Sequence, residues 1–195
     1  MTPQTQLTTS QIVKVKLNKW AYIYAQSLTG VPWAVIAGVN YRESDLASDH
    51  KIVKTVGGIY QFDPIPAISI QQDWLRRFST LPPAQIENWE ASLAVDDFLH
   101  SSLLCACKLR EGIQPVLNKM SPDAVLKEAF WAYNGRAYGS ADNSPYVMNN
   151  ADVAHMGMRI IGSEPDGRGG RIQINTIDER PGAFVVFDQI RKLGI

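Results

Sequence analysis

What this 195-residue chain lacks is charge of one sign: its 19 Lys and Arg face 19 Asp and Glu, a formal net charge of +0. A general polyanion binder needs clustered basic side chains, so nucleic acid is not expected as a partner. Cysteine is equally scarce, with Cys105 and Cys107 alone. Two residues apart on a helix, they point in different directions and read as buried free thiols, not as a disulfide or metal pair. That reading favours synthesis in a reducing compartment. His50, His100 and His155 are scattered without the i, i+4 spacing of a zinc helix, and none is expected to bind metal. No apolar run approaches the roughly 18 residues of a membrane span. The opening residues 1–10 have neither a basic nor an apolar leader region, so no secretory signal is expected. Gly167-Arg168-Gly169-Gly170 lacks the following Lys-Ser/Thr of a phosphate loop, and no internal repeat occurs.

What is present fits one compact domain with a real core, since 45% of the residues are hydrophobic. Most of the periodicity is helical. Trp20, Ile23, Tyr24, Ser27 and Leu28 form a stripe that stops at Gly30, a C-cap residue, and Trp20, Trp74 and Trp89 read as packing residues. Trp74, Leu75 and Phe78 mark another helix. Ile86, Trp89, Leu93, Asp97 and Leu104 predict a long helix from Pro83 to Cys107 or beyond, broken near Gly112 and Pro115. Ser121-Pro122 opens a further helix, as does Ser144-Pro145, the latter reaching Asn150 and Ala154. Residues 162–170 read as a glycine-rich loop, Arg171 to Asn175 alternate as a short strand would, and Phe184, Phe187 and Ile190 predict a last helix. The chain divides into an arm over 1–17, a main domain over 18–160 and an extension over 161–195 packed on it.

One carboxyl stands out. A helix opening at Val31-Pro32-Trp33 puts Ile36, Val39, Asn40 and Glu43 on one face, so Glu43 points where the apolar residues point. A carboxyl drawn into apolar surroundings loses hydration of its charged form and can hold a proton near neutrality. The same glutamate could simply cap its helix or pair with Arg42. Downstream, Gly57-Gly58-Ile59-Tyr60-Gln61-Phe62-Asp63-Pro64 forms a turn in which Gly58 lets backbone approach a ligand, and Tyr60 and Gln61 offer groups that hold sugar hydroxyls and acetamido groups.

A third segment, Ala132-Tyr133-Asn134-Gly135, closes the helix that begins at Ser121. Glu-Ser, then Gly-Ile-Tyr-Gln-Phe, then Ala-Tyr-Asn-Gly in this order resembles the lysozyme-like superfamily, most closely its lytic transglycosylases and goose-type lysozymes, over roughly residues 18 to 150. The chain departs from the pattern in carrying Asp45 after Ser44 and Ile59-Tyr60 in place of the usual Leu-Met. The resemblance implies a mainly α, lysozyme-like α+β fold, with a helical catalytic core around a long central helix and a small loop and strand extension at the C-terminus. It implies Glu43 as the catalytic acid, Gln61 as a substrate contact and Tyr133 beside the acid, with Ser44 and Asn134 in support. Trp131 is a candidate to line the groove. Asp63 matches an aspartate of goose-type lysozymes and is the candidate base; before Pro64 it is equally at home as turn chemistry.

The implied activity is cleavage of peptidoglycan between N-acetylmuramic acid and N-acetylglucosamine, with no cofactor. If the muramic acid's own C6 hydroxyl attacks, the enzyme is a lytic transglycosylase; if water activated by Asp63 attacks, it is an inverting lysozyme. Without a secretory signal, a phage-encoded lysin made in the cytoplasm and released at lysis, or a virion-borne enzyme, fits; a mature form with its signal removed fits less naturally with Met1 in place. Residues 143–148 and 152–155 resemble, more loosely, phage-associated wall-lytic proteins. Peptidoglycan is then the partner, with phage tail or baseplate proteins as possible neighbours, and a virion protein keeping the fold for glycan binding or assembly is the alternative from another class.

Overall fold

The computed structural model describes residues 6–49, 51, 57–62, 65–136, 139–148 and 180–195, and the backbone of 160–165 and 171–176. The protein is mainly α. Among the described residues no helix is long and apolar enough to cross a membrane.

Helix α1 (Thr9–Thr29) starts in a reciprocal cap, with the Thr8 hydroxyl accepting from the Gln11 amide at 3.2 Å and the Gln11 side chain accepting from the Thr8 amide at 2.9 Å. It ends at Gly30, whose φ of 73° is left-handed. The arm set apart through residue 17 is therefore helical from Thr9. The inward face is not the stripe expected from sequence. Val15, Ala21, Tyr22 and Ala25 are buried, whereas Trp20 is 58% exposed and touches the core edge-on at Phe98, and Ile23 also faces outward. Small residues turn inward because a helix runs close by on that side.

That neighbour is α6 (Phe98–Ile113), buried along much of its length through Leu103, Leu104, Cys105, Ala106, Cys107 and Leu109. It packs against α1, α3 (Ile68–Phe78) and α7 (Pro122–Tyr133). The single long helix expected from Pro83 is instead three pieces: α4 (Pro83–Glu87), α5 (Leu93–Asp96) and α6. The last break is a capping event. Asp97 leaves the helical conformation, with φ −119° and ψ 121°, and its carboxylate accepts from the His100 amide at 2.8 Å and meets His100 Nδ1 at 2.6 Å. Trp89 is buried as a packing residue, its indole donating to Gln71 at 2.8 Å. Cys105 and Cys107 are buried free thiols.

Helix α2 (Trp33–Ser44) is buried without interruption from Ala34 to Arg42, as a helix enclosed by others must be. Its partners are α1 on one side and α8 (Ala183–Leu193) on the other. Gly38 permits the second contact, because a Cβ there would lie 2.5 Å from the Ala183 carbonyl oxygen. Strands β1 (Ile160–Pro165) and β2 (Arg171–Thr176) pair antiparallel, Ile160 opposite Thr176 and Pro165 opposite Arg171. Gly162 to Pro165, read from composition as loop, are thus extended. Pro145 to Val147 form a turn, not a helix start, and the continuation expected to Ala154 lies outside the described residues.

Candidate active site

Glu43 occupies the last turn of α2, where the helix is stopped by Asp45 and Leu46, both left-handed with φ of 51° and 63°. Asp45 is held in that conformation from outside, its carboxylate accepting from Gln11 at 2.7 Å and pairing with Lys14 at 2.8 Å. The helix end is braced from within as well. Tyr22 donates to the Asn40 side-chain oxygen at 2.5 Å, and the Asn40 amide donates to Ser44 Oγ at 2.9 Å. Ser44 in turn donates to the Asn40 carbonyl at 3.1 Å. Ser44, expected among the substrate contacts, is therefore engaged in closing its own helix.

The Glu43 carboxylate accepts a hydrogen bond from the Tyr146 hydroxyl. Burial pushes this carboxyl from an ordinary 4.5 up to about 7; the Tyr146 bond, Lys108, Arg42 and Arg180 all act in the opposite direction. The two arginines clasp each other's backbone, Arg42 donating to the Arg180 carbonyl at 3.0 Å and Arg180 to the Arg42 carbonyl at 2.8 Å. Among the described residues the charges that act most on Glu43 are cationic, and Asp45, the acid nearest in sequence, is directed at Gln11 and Lys14. Asp63 lies outside the described residues. Among those residues, no cluster of His, Cys, Asp or Glu could hold a metal ion.

The glycine turn docks against this helix end. Phe62 donates its amide to the Gly57 carbonyl at 2.9 Å, and Gly58 and Gln61 both have positive φ, 68° and 48°. The exposed Gln61 side chain donates to the Glu43 main-chain carbonyl, so the turn and the acid are tied directly together. Gly58 serves packing more than ligand approach: a Cβ there would sit 3.0 Å from Val95. Tyr60 is fully buried, which removes it from the substrate contacts expected of it. Its hydroxyl lies 2.8 Å from Ser102 Oγ, and since Ser102 donates to the Phe98 carbonyl at 2.7 Å, Tyr60 is the donor in that pair.

Tyr133 stands one ring further from Glu43 than expected. Its hydroxyl donates to the Tyr60 carbonyl at 2.9 Å, and its ring stacks on that of Tyr146 with centroids 6.2 Å apart. Tyr146 is the tyrosine that reaches the acid. Asn134 caps α7, and its side-chain nitrogen is buried with no hydrogen-bond partner among the described residues. Trp131 is half-buried with the Arg136 guanidinium 5.1 Å from its ring centre. Lys108, from α6, places its ammonium 4.2 Å from the centre of the Tyr133 ring.

Glu43, Gln61 and Tyr133 therefore do come together, while Tyr60, Ser44 and Gly58 support the scaffold. Sequence reasoning missed Tyr146 and Lys108. The signal for Lys108 was a lone cation inside the apolar run Leu103-Leu104-Cys105-Ala106-Cys107-Lys108-Leu109. Tyr146 sat in a stretch read as a helix start, and nothing local to it pointed at Glu43. Comparison with family models, curated proteins and solved structures finds no match to this chain.

Proposed function

We propose that this protein cleaves the glycan strand of peptidoglycan between N-acetylmuramic acid and N-acetylglucosamine, using Glu43 first as acid and then as base. The observation that carries the reading is the placement of Glu43: its carboxyl sits where burial pushes it up to about 7, with the Tyr146 hydroxyl on one oxygen. Proton donation to the glycosidic oxygen breaks the C1–O bond and leaves Glu43 as carboxylate. Positioned proton transfer of this kind contributes about 10²–10⁴-fold. The carboxylate then takes the proton of the muramic acid's C6 hydroxyl as that oxygen bonds to C1, giving an anhydro sugar and restoring the acid. Gln61 fixes the turn that faces the acid, and the order of helix with Glu, glycine turn and helix with Tyr fits a lysozyme-like arrangement. A wall-degrading role in a phage particle or at lysis, with tail or baseplate proteins as neighbours, belongs to the same proposal.

The test is release of soluble fragments from purified peptidoglycan. Wild type releases them and Glu43→Gln, which keeps shape but has no acidic proton to give, falls about 10²–10⁴-fold. Equal release by both would remove Glu43 from the chemistry.

A further inference from the structure

Lys108 is half-buried, and its ammonium meets only aromatic faces, 4.2 Å from the centre of the Tyr133 ring and 5.8 Å from that of Phe62. No hydrogen-bond acceptor or ion-pair partner meets it among the described residues. Aromatic faces offset part of the cost of removing an ammonium from water, but they supply no oxygen to its three donors. The other cations of the site differ in this respect, since Arg42 and Arg180 donate to each other's carbonyls. Lys108 thus has donors to give, and it stands over the ring of Tyr133, which stacks on Tyr146, the tyrosine that donates to Glu43.

We infer that Lys108 reads the lactyl group of the glycan: where the stem peptide has been removed, its ammonium binds the lactyl carboxylate that muramic acid carries at C3, while Glu43 serves the glycosidic oxygen at C1. The inference rests on the peptidoglycan reading and deepens it. C1 and C3 belong to one sugar ring, so an acid and a cation joined through this pair of rings can address both at once. N-acetylglucosamine has only a hydroxyl at C3 and cannot form the charged contact. The neutral hydroxyl is the weaker acceptor, because a charge-assisted hydrogen bond is roughly twice as strong as a neutral one. Lys108 then acts as a specificity-determining residue, making the site select muramic acid over chitin-type chains.

Two measurements test this. In the first, isotope-labelled wild-type protein is titrated with N-acetylmuramic acid and with N-acetylglucosamine, following the Lys108 side-chain resonances by NMR, assigned with Lys108→Arg. A saturable shift with the muramic sugar alone is expected. In the second, kcat/KM is compared on peptidoglycan strands stripped of stem peptides, which expose the lactyl carboxylate, and on chito-oligosaccharides. Lys108→Met lowers the ratio of the two about tenfold through KM, and Lys108→Arg retains most of it. A Lys108 resonance that ignores both sugars or answers both alike, or a ratio unchanged in Lys108→Met, overturns the inference. If wild type digests neither glycan, the cleavage reading fails, and the titration still decides whether Lys108 distinguishes the sugars.

Discussion

Glu43 owes its proton to where it sits and not to its neighbours' charges, since Lys108, Arg42, Arg180 and the Tyr146 hydroxyl all favour the carboxylate and burial outweighs them. An acid that must be protonated is fully available below about pH 7 and is lost as pH rises through that value, so kcat/KM falls about tenfold per pH unit on the alkaline side. Replacing Tyr146 by Phe removes a donor that stabilises the charged form. The alkaline limb of Tyr146→Phe therefore moves to higher pH, and kcat drops about tenfold because the carboxyl is less well oriented. A pH profile with the limb unmoved would separate Tyr146 from the acid. Cys105 stands close to the same cluster, yet burial raises its thiol well above the ordinary range, so it behaves as an apolar core residue.

At the scale of elements, the site depends on how closely α8 lies on α2. Gly38→Ala forces a methyl to within 2.5 Å of the Ala183 carbonyl oxygen, a backbone atom that cannot rotate away. The substitution should cost about 1–3 kcal/mol of stability, read as a lower midpoint in urea unfolding with unchanged slope. A midpoint equal to wild type would mean that the two helices are not held at this distance. Much at this scale was legible in the sequence. Gly30 stops α1, Pro122 opens α7, and Ile36, Val39 and Asn40 lie within the buried helix α2 with Glu43 near its end, although α2 is buried on every side and not on their face alone. What was not legible depended on distant partners. The Asp97 cap that divides α4, α5 and α6 looks in sequence like one more residue of a helical stripe. Trp20 carries the pattern of a core residue, but the close approach of α6 favours Ala21 and Ala25 on the inner face, and the indole is left outside. Tyr60 offers a hydroxyl suited to sugars and spends it on Ser102.

The whole molecule brings both ends of the described chain to the acid-bearing helix. Leu7 donates its amide to Gln189 at 2.8 Å, Gln11 and Lys14 hold Asp45, and Arg180 closes on Arg42. The candidate site was readable in sequence as Glu43, Gln61 and Tyr133, which local motifs mark; Tyr146 lies 103 residues from Glu43, and only folding joins them. The central claim is that this assembled acid breaks glycan by turning the muramic acid's own hydroxyl on its C1. Mass spectrometry of the products from purified peptidoglycan tests it most directly, with wild type beside Glu43→Gln. Anhydromuramic ends that form with wild type and vanish in the variant are the predicted result. Reducing ends in their place would contradict the one-carboxylate route, and no products from wild type would contradict the enzyme reading itself.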